Sequence, residues 1–155
     1  MEGENKSDKN GKIDNNNAGK IILGTAAIIR DGDRYLIAQR KKDSKLEANK
    51  WEFPGGKVEY LEDPKDTIIR EIKEELDIVI SPENIFDVVS TIFEKNSERF
   101  HVVLIFYECK YISGEISHLD CQDTRWVARE NFDDFIYAKA DIPVIEKLRR
   151  IDLKN

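Results

Sequence analysis

Three glutamates provide the clearest chemical pattern in the chain. Glu71, Glu74 and Glu75 stand at positions i, i+3 and i+4, which in a helix places their carboxylates on adjacent turns where they can converge on one point. In a cleft with an effective dielectric near 20, two unit charges about 6 Å apart repel by roughly 3 kcal/mol. A solvated helix surface is the alternative interpretation. A cleft version of this helix calls for a divalent cation.

The same glutamates indicate which cation and which substrate to expect. Neither histidine nor cysteine accompanies them, and oxygen ligands alone favour Mg²⁺, with Mn²⁺ or Ca²⁺ as alternatives. Protein-bound Mg²⁺ usually also contacts substrate phosphates, so the pattern predicts a phosphate ester or anhydride as substrate. Arg70 can pair with Glu62 or Glu71 and fix the orientation of a carboxylate.

A helix over residues 64–76 must position these side chains. Asp63 can cap its N-terminus, Pro64 suits its first position, and no glycine or further proline follows before Asp77. Apolar residues recur at three- and four-residue steps and predict one buried stripe. The predicted stripe consists of Ile68, Ile69, Ile72 and Leu76.

A longer motif surrounds the glutamates. Gly56 is followed by five residues and Glu62, then by seven residues and the string Arg70-Glu71-Ile72-Lys73-Glu74-Glu75. This arrangement resembles the signature box of the Nudix hydrolases and matches it at every charged position. The family usually has glycine where this chain has Asp77, so we expect a left-handed turn there, at a cost of about 1 kcal/mol for a residue other than glycine.

The resemblance extends over about residues 20–150 and is nearest to the MutT-type nucleoside triphosphate pyrophosphohydrolases. Three further segments carry it: residues 51–57, Trp126, and Ala140-Asp141-Ile142-Pro143. It implies an α/β fold, a Nudix-type α/β/α sandwich with a mixed β-sheet. It also implies Mg²⁺-dependent hydrolysis of a nucleoside triphosphate, oxidised or modified in some members, to the monophosphate and pyrophosphate.

The resemblance assigns expected roles to individual residues. The metal ligands would be Glu71, Glu74, Glu75, Asp120 and the carbonyl of Gly55. One of the glutamates or Asp120 would accept a proton from water, and coupled acids leave open which one. Glu62 and Arg70 would orient the helix acids.

The remaining expected contacts are with the substrate. Arg40 or Lys41 would meet a phosphate, and Asp141 and Glu52 would contact the edge of the base. Asp141 also suits the N-cap of a final helix, with Pro143 in its first turn. An ionised carboxylate accepts hydrogen bonds, which suits an exocyclic amino group or a ring N–H.

Several substrates fit this description. Oxidised guanine and cytosine or methylcytosine all present suitable donors, so 8-oxo-dGTP stays beside CTP or methyl-dCTP as a candidate. A dinucleoside-polyphosphate or nucleotide-sugar hydrolase would use the same metal helix. A non-catalytic nucleotide-sensing module usually has a damaged motif, whereas this chain keeps every acid.

Composition limits which other classes of function are possible. The chain has 155 residues and a net charge of −6, which fits one highly charged domain and argues against binding to a nucleic-acid polymer. No apolar run approaches the length of a membrane span, and the polar start does not resemble a signal peptide, so we expect a cytoplasmic location and no membrane partner. The oligomeric state cannot be predicted from the sequence.

The order of elements follows from turn residues and apolar runs. Residues 1–19 are polar and predict a disordered arm before a domain at residues 20–155. We expect strands near 21–29, 35–38, 85–94 and 99–111, a tight turn at Pro54-Gly55-Gly56, and a short separate strand at 78–80 ended by Ser81-Pro82. A loop at 113–124 carries Asp120.

Overall fold

A mixed β-sheet lies between two helices in the computed structural model, which describes residues 19–151. The predicted arm therefore lies outside the described residues, apart from Gly19. In chain order the elements are β1 (Ile21–Asp31), β2 (Arg34–Gln39), β3 (Trp51–Glu52), β4 (Gly55–Lys57), α1 (Pro64–Leu76), β5 (Val79–Lys95), β6 (Glu98–Ser113), β7 (Asp123–Ala128), a 3-10 helix (Arg129–Asp134) and α2 (Ile142–Arg150).

Strand β1 forms the centre of the sheet. The strand order is β3-β2-β1-β6-β5, with β4 also paired to β1 and β7 to β2. The β1–β6 pair is parallel, whereas β1 pairs antiparallel with both β2 and β4, so the sheet is mixed as predicted. Strand β4 thus lies along β1 directly before the chain enters α1.

Alternate residues of β1 face different helices, because successive side chains in a strand point to opposite faces. Ala27 and Ile29 join a core cluster with Ile68, Ile72 and Leu76 of α1. Ala26 and Ile28 join the other cluster, which includes Val144, Ile145 and Leu148 of α2. The predicted α/β/α sandwich is confirmed.

Helix α1 begins and ends as its sequence predicts. The Asp63 side chain accepts a 2.8 Å hydrogen bond from the amide of Lys65, and Pro64 begins the helix. Asp77 caps the C-terminus in the left-handed conformation at φ 57°, and its amide donates to the carbonyl of Lys73. Aspartate thus adopts the turn for which the family usually has glycine.

The predicted apolar stripe of α1 was wrong at one position. Ile68, Ile72 and Leu76 are fully buried, but Ile69 is 37% exposed. At 100° per residue, Ile69 lies at the side of the helix and not above the sheet. Glu75 takes its place among the buried residues.

The predicted turn at Pro54-Gly55-Gly56 was also wrong. Gly55 and Gly56 belong to β4 and pair with Ala26 and Thr25 of β1. The glycines permit this close approach, since a Cβ at Gly55 would lie 2.7 Å from the Cα of Ala26. Their lack of side chains, and not a turn, explains their presence.

The strands of the second half are longer than predicted. The segment 78–80 is not a separate strand, because β5 continues through Ser81-Pro82 with irregularities in its pairing near Pro82 and Ile85. The hairpin between β5 and β6 is confirmed, with its turn at Asn96 and Ser97. Across the described range, the helices fall short of the length and apolar character that a membrane crossing requires.

Candidate active site

Strand β4 separates two groups of acidic residues. On one side, α1 places Glu71 against Gly56, where a Cβ added to the glycine would lie 2.6 Å from Cγ of Glu71. On the other side, Gly55, Gly56 and Lys57 line a cavity on the α2 face of the sheet. Any side chain at position 56 would displace the Glu71 carboxylate, so glycine is required for this contact.

The N–H and C=O groups of Gly55 itself take no part in the hydrogen bonds between β1 and β4. The amides of Ala27 and Val58 donate to the carbonyls of Pro54 and Leu23, which marks these as the hydrogen-bonded pairs of the ladder. Because such pairs alternate along an antiparallel ladder, the Ala26–Gly55 pair is a non-hydrogen-bonded one. The carbonyl of Gly55 is therefore directed away from β1 and remains available to a ligand.

Glu75 is the most buried of the three glutamates, with 8% of its surface exposed. Burial, followed by repulsion from Glu52, Asp120 and Glu71, raises the pKa of Glu75 to about 9, although a backbone hydrogen bond from Gly55 opposes the shift. Its carboxylate therefore lies within electrostatic reach of Glu71 on its own helix and of acids from two other segments. A cation at this place would relieve the repulsion.

Arg70 holds the acids on the outer side of α1. Its Nε donates to Glu62 at 2.8 Å, and its Nη1 donates to Glu71 at 2.9 Å and to Glu74 at 3.1 Å. Hydrogen bonds from Arg70, followed by one from Thr67, lower the pKa of Glu62 to about 2. The predicted pairing of Arg70 with Glu62 and Glu71 is present.

The glutamates differ in their surroundings. Burial raises the pKa of Glu71, whereas the side chain of Glu74 is 61% exposed. Within residues 19–151, no three histidine, cysteine, aspartate or glutamate side chains stand close enough together to hold one metal ion. Arg70 contacts Glu71 and Glu74 instead, so a cation would have to take over the carboxylates that it now holds.

Asp120 comes from the loop before β7 and faces the same region. Its carboxylate pairs with Lys41 at 2.7 Å, and it contributes to the raised pKa of Glu75. Lys41 follows β2, and the hydrogen bond to Asp120 raises its pKa. The structure therefore brings Asp120 and Lys41 to the glutamates from separate loops.

The cavity beyond β4 has a volume of about 220 Å³ and a largely apolar lining. Strands β1, β5 and β6 supply much of its wall, and its charged members come from other segments. The lining residues that concern the argument are Arg40, Glu47, Glu52, Phe93, Leu104 and Asp141. A planar aromatic ligand fits such a slot, with few polar groups to orient it.

Glu52 and Arg40 form an ion pair at the edge of this cavity. Arg40 Nη1 lies 3.0 Å from one oxygen of Glu52, and Arg40 Nε donates to the carbonyl of Leu46. Burial raises the pKa of Glu52, while the guanidinium of Arg40 opposes that shift. Arg40 therefore bonds to Glu52 and to the loop in this structure, and its contact with a phosphate stays a prediction.

Asp141 is a buried acid at the far side of the cavity, 2% exposed. One of its oxygens accepts a 2.8 Å hydrogen bond from the amide of Phe53. Burial and repulsion from Glu52 raise its pKa well above the usual value. The predicted role of Asp141 as a side-chain cap of α2 was wrong, because its carboxylate bonds to Phe53 and makes no capping bond, although Pro143 does lie in the first turn.

Several wall residues could not be identified from the sequence. Phe93 and Leu104 lie on the hairpin strands, and Glu47 lies in the loop after β2. The alternation of apolar residues in β5 and β6 indicates which side chains share a face. This alternation does not indicate that β1 and residues 138–141 lie opposite the side chains of β5 and β6.

Comparisons with known proteins agree with this arrangement. Residues 20–148 match the model of the NUDIX domain. The chain is 33% identical over 137 residues to an 8-oxo-dGTP diphosphatase of Escherichia coli (strain K12), covering 85% of this chain and 98% of that protein. It is 32% identical over 127 residues to a CTP pyrophosphohydrolase of the same organism, covering 82% and 90%.

A solved structure gives the same result. The chain is similar to a MutT protein from Methanosarcina mazei Go1 with a TM-score of 0.74 and 26% identity, covering 86% of this chain and 96% of that one. The domain match covers most of the chain, and the acid helix and its glycine strand carry the motif of that family. The chain therefore belongs to the NUDIX family, as a MutT-type Nudix hydrolase.

Proposed function

We propose that this chain hydrolyses a nucleoside triphosphate, such as 8-oxo-dGTP, to the monophosphate and pyrophosphate with the help of Mg²⁺. The observation that carries the proposal is the placement of β4 between the acids of α1 and the apolar cavity. A nucleotide has the matching form, with a flat base at one end and a polyphosphate at the other. The similarity to an 8-oxo-dGTP diphosphatase supports the choice of substrate.

The residues present fit a hard divalent cation. Glu71, Glu74, Glu75 and Asp120 would hold it together with the Gly55 carbonyl, which the β1–β4 pairing leaves available. All these ligands are oxygens, which Mg²⁺ prefers, and Mn²⁺ accepts the same set. When bound, Mg²⁺ would neutralise polyphosphate charge and lower the pKa of a coordinated water.

The chain's own groups would prepare the attack on phosphorus. Arg70 anchors Glu62 and would steady the outer face of α1 while Glu71 and Glu74 turn to their ligand. Glu71, Glu75 or Asp120 would accept the proton of the attacking water, as members of one coupled set. Lys41 is the nearer candidate for a phosphate contact, since its partner Asp120 would exchange it for the metal.

The base would be recognised by two of the acids that line the cavity, Glu52 and Asp141. Asp141 is buried and forms no salt bridge with any lysine or arginine in the part of the chain that the structure describes, so its protonated form can donate a hydrogen bond while its other oxygen accepts from Phe53. Glu52 is paired with Arg40, which favours its ionised form, and as a carboxylate it would accept. A base edge with an acceptor next to a donor matches this pair.

A CTP or methyl-dCTP pyrophosphohydrolase is the second candidate. Cytosine carries an amino donor beside a ring-nitrogen acceptor, which suits Glu52 and a protonated Asp141. The similarity to a CTP pyrophosphohydrolase supports this alternative nearly as well as the first.

A turnover screen tests both candidates. Normal, oxidised and methylated nucleoside triphosphates are incubated with the protein and Mg²⁺ or Mn²⁺, and pyrophosphate and orthophosphate are measured separately. We expect release of pyrophosphate that depends on the metal. Faster turnover of dinucleoside polyphosphates or nucleotide sugars than of every triphosphate would contradict the proposal.

A further inference from the structure

Two walls of the cavity come from parts of the chain that are anchored separately. Phe93 lies on β5, the last strand of the sheet. Ala138, Ala140 and Asp141 form the opposing wall, which is held to β3 because the amide of Ala138 donates to the carbonyl of Trp51 at 2.9 Å. The space between the two walls determines how thick a base the cavity admits.

Lys139 connects these two walls from outside. It is exposed, but its neighbours Ala138 and Ala140 are buried and face the cavity. Its Nζ donates a 2.7 Å hydrogen bond to the carbonyl of Ile92 and lies 5.7 Å from the centre of the Phe93 ring. Both contacts are with β5. One is with Phe93, which lines the cavity, and the other is with Ile92, the residue before it.

We propose that Lys139 is a positioning residue that sets the width of this cavity and thereby the preference for one base over another. The inference rests on the proposed function of the cavity as the nucleoside site. Lys139 is not among the residues that line the cavity, so it acts through Phe93 and through the wall at residues 138–141. None of the acids on α1 takes part.

The physical basis is the weakness of a sheet edge. Among the described residues, no strand pairs with the outer side of β5, and edge strands open more readily than central ones. A charged donor forms one of the stronger hydrogen bonds, and the attraction of the ammonium to the ring adds to it. Without Lys139, β5 can move away from residues 138–141, and the base loses contact with one of the two walls.

Lys147 provides a matched control on the same strand. Its Nζ donates a 2.7 Å hydrogen bond to the carbonyl of Phe86 and lies 4.5 Å from the centre of that ring. Lys147 makes the same two kinds of contact as Lys139 and adds an ion pair with Asp87 at 3.9 Å, but Phe86 does not line the cavity. Replacing either lysine would therefore weaken β5 in general. Only the replacement of Lys139 would change the base preference.

The test compares Lys139→Met, Lys147→Met and Lys139→Arg with the unaltered protein. For Lys139→Met we expect the KM of the preferred nucleoside triphosphate to rise about three- to tenfold with kcat unchanged, and its advantage over the next nucleotide to fall by the same factor. Inhibition by tripolyphosphate should stay the same, because it lacks a base. Lys139→Arg should restore the preference, and Lys147→Met should keep it.

Thermal unfolding of each variant shows whether it is folded. Equal base preference in Lys139→Met and the unaltered protein would overturn the inference, as would an equal loss of preference in Lys147→Met. If the unaltered protein hydrolyses no nucleoside triphosphate, the proposed function fails, and the same variants are compared by calorimetric binding of nucleoside monophosphates. Unchanged affinities, or no binding at all, would then overturn the inference independently.

Discussion

The acids on the two sides of β4 are stabilised in different ways. On the α1 side, Glu62, Glu71 and Glu74 share one guanidinium, that of Arg70. On the cavity side, Asp141 is buried with a backbone amide as its partner, and no cation among residues 19–151 forms a salt bridge with it. In the first group the guanidinium favours ionised carboxylates and lowers the pKa of Glu62, whereas burial raises the pKa of Asp141 and favours its protonated form.

The difference indicates two tasks. Ionised carboxylates that can exchange an arginine for a metal ion suit a site where a charged polyphosphate must be neutralised. A protonated carboxyl in an apolar slot suits the reading of a neutral base, because it can donate as well as accept. Substitutions on the α1 side should therefore lower turnover. Substitutions on the cavity side should change the relative kcat/KM of different nucleotides.

The largest effect is expected from Glu74→Gln on the metal side. Loss of one charged ligand should lower Mg²⁺-dependent turnover about 10³-fold or more, since a bound metal contributes several kcal/mol to the transition state. Glu74 is largely exposed, so the melting temperature should hardly change. Asp66→Asn, an exposed acid on the same helix, is the control. Turnover like that of the unaltered protein would remove Glu74 from the mechanism.

Gly56→Ala should have the next largest effect. The added methyl group would meet the Glu71 side chain and push it away from β4. We expect turnover to fall about 10- to 100-fold and the free energy of unfolding to fall by about 1–3 kcal/mol. Steady-state kinetics and urea unfolding measure both.

A double-mutant cycle with Glu71→Ala tests this explanation. In that background the methyl group of Gly56→Ala meets no carboxylate, so its cost in stability should become small. A cost that stays the same would show that the strand itself, and not Glu71, requires the glycine.

Asp141→Asn should change the base preference on the cavity side. Its amide oxygen can still accept from Phe53, but the amide no longer exchanges a proton, so the donor and acceptor pattern is fixed. We expect a change of about tenfold in relative kcat/KM between guanine and cytosine nucleotides, with little change in kcat. Asp134→Asn, an exposed acid nearby in sequence, should alter nothing. A fall in kcat for every nucleotide alike would place Asp141 with the metal side.

The last prediction concerns the pH dependence of stability and Glu75, and it leaves the metal-bound enzyme aside. Its pKa is about 9 in the folded protein and about 4.3 in the unfolded chain, so the unfolded chain loses the proton first. Metal-free stability should therefore fall as the pH rises from about 4.5 to 9. Glu75→Gln should melt higher than the unaltered protein at pH 8.5 in chelator, and the gap should narrow at pH 5. A gap that widens toward pH 5 would contradict the burial of this acid.

The two sides also differ in how far the sequence predicts them. Arg70 lies close in sequence to Glu62 and Glu71, and its pairing with both was predicted correctly. The convergence of Glu71, Glu74 and Glu75 on one metal ion stays a prediction, because no three such acids stand close enough together among residues 19–151. Ile69 was misplaced, because a three- and four-residue pattern does not fix the edge of a buried stripe.

The cavity side depends on contacts between distant segments. Asp141 lies 88 residues from its partner Phe53, and Phe93 reaches the same cavity along a different strand. Local preference favoured a helix cap for Asp141, and the buried amide of Phe53 prevailed because an unpaired buried donor costs about 1–3 kcal/mol. Likewise, the glycines of β4 were assigned to a turn because the sequence does not show that β1 lies against them.

The central claim is that the acids beside β4 bind a divalent cation at the phosphate end of the cavity. Titration of the protein with Mn²⁺, followed by electron paramagnetic resonance, tests it most directly. We expect bound Mn²⁺ that Mg²⁺ displaces and that Glu74→Gln weakens, while Asp141→Asn leaves the metal affinity unchanged. Mn²⁺ that stays free in solution, or binds equally well to Glu74→Gln, would contradict the claim.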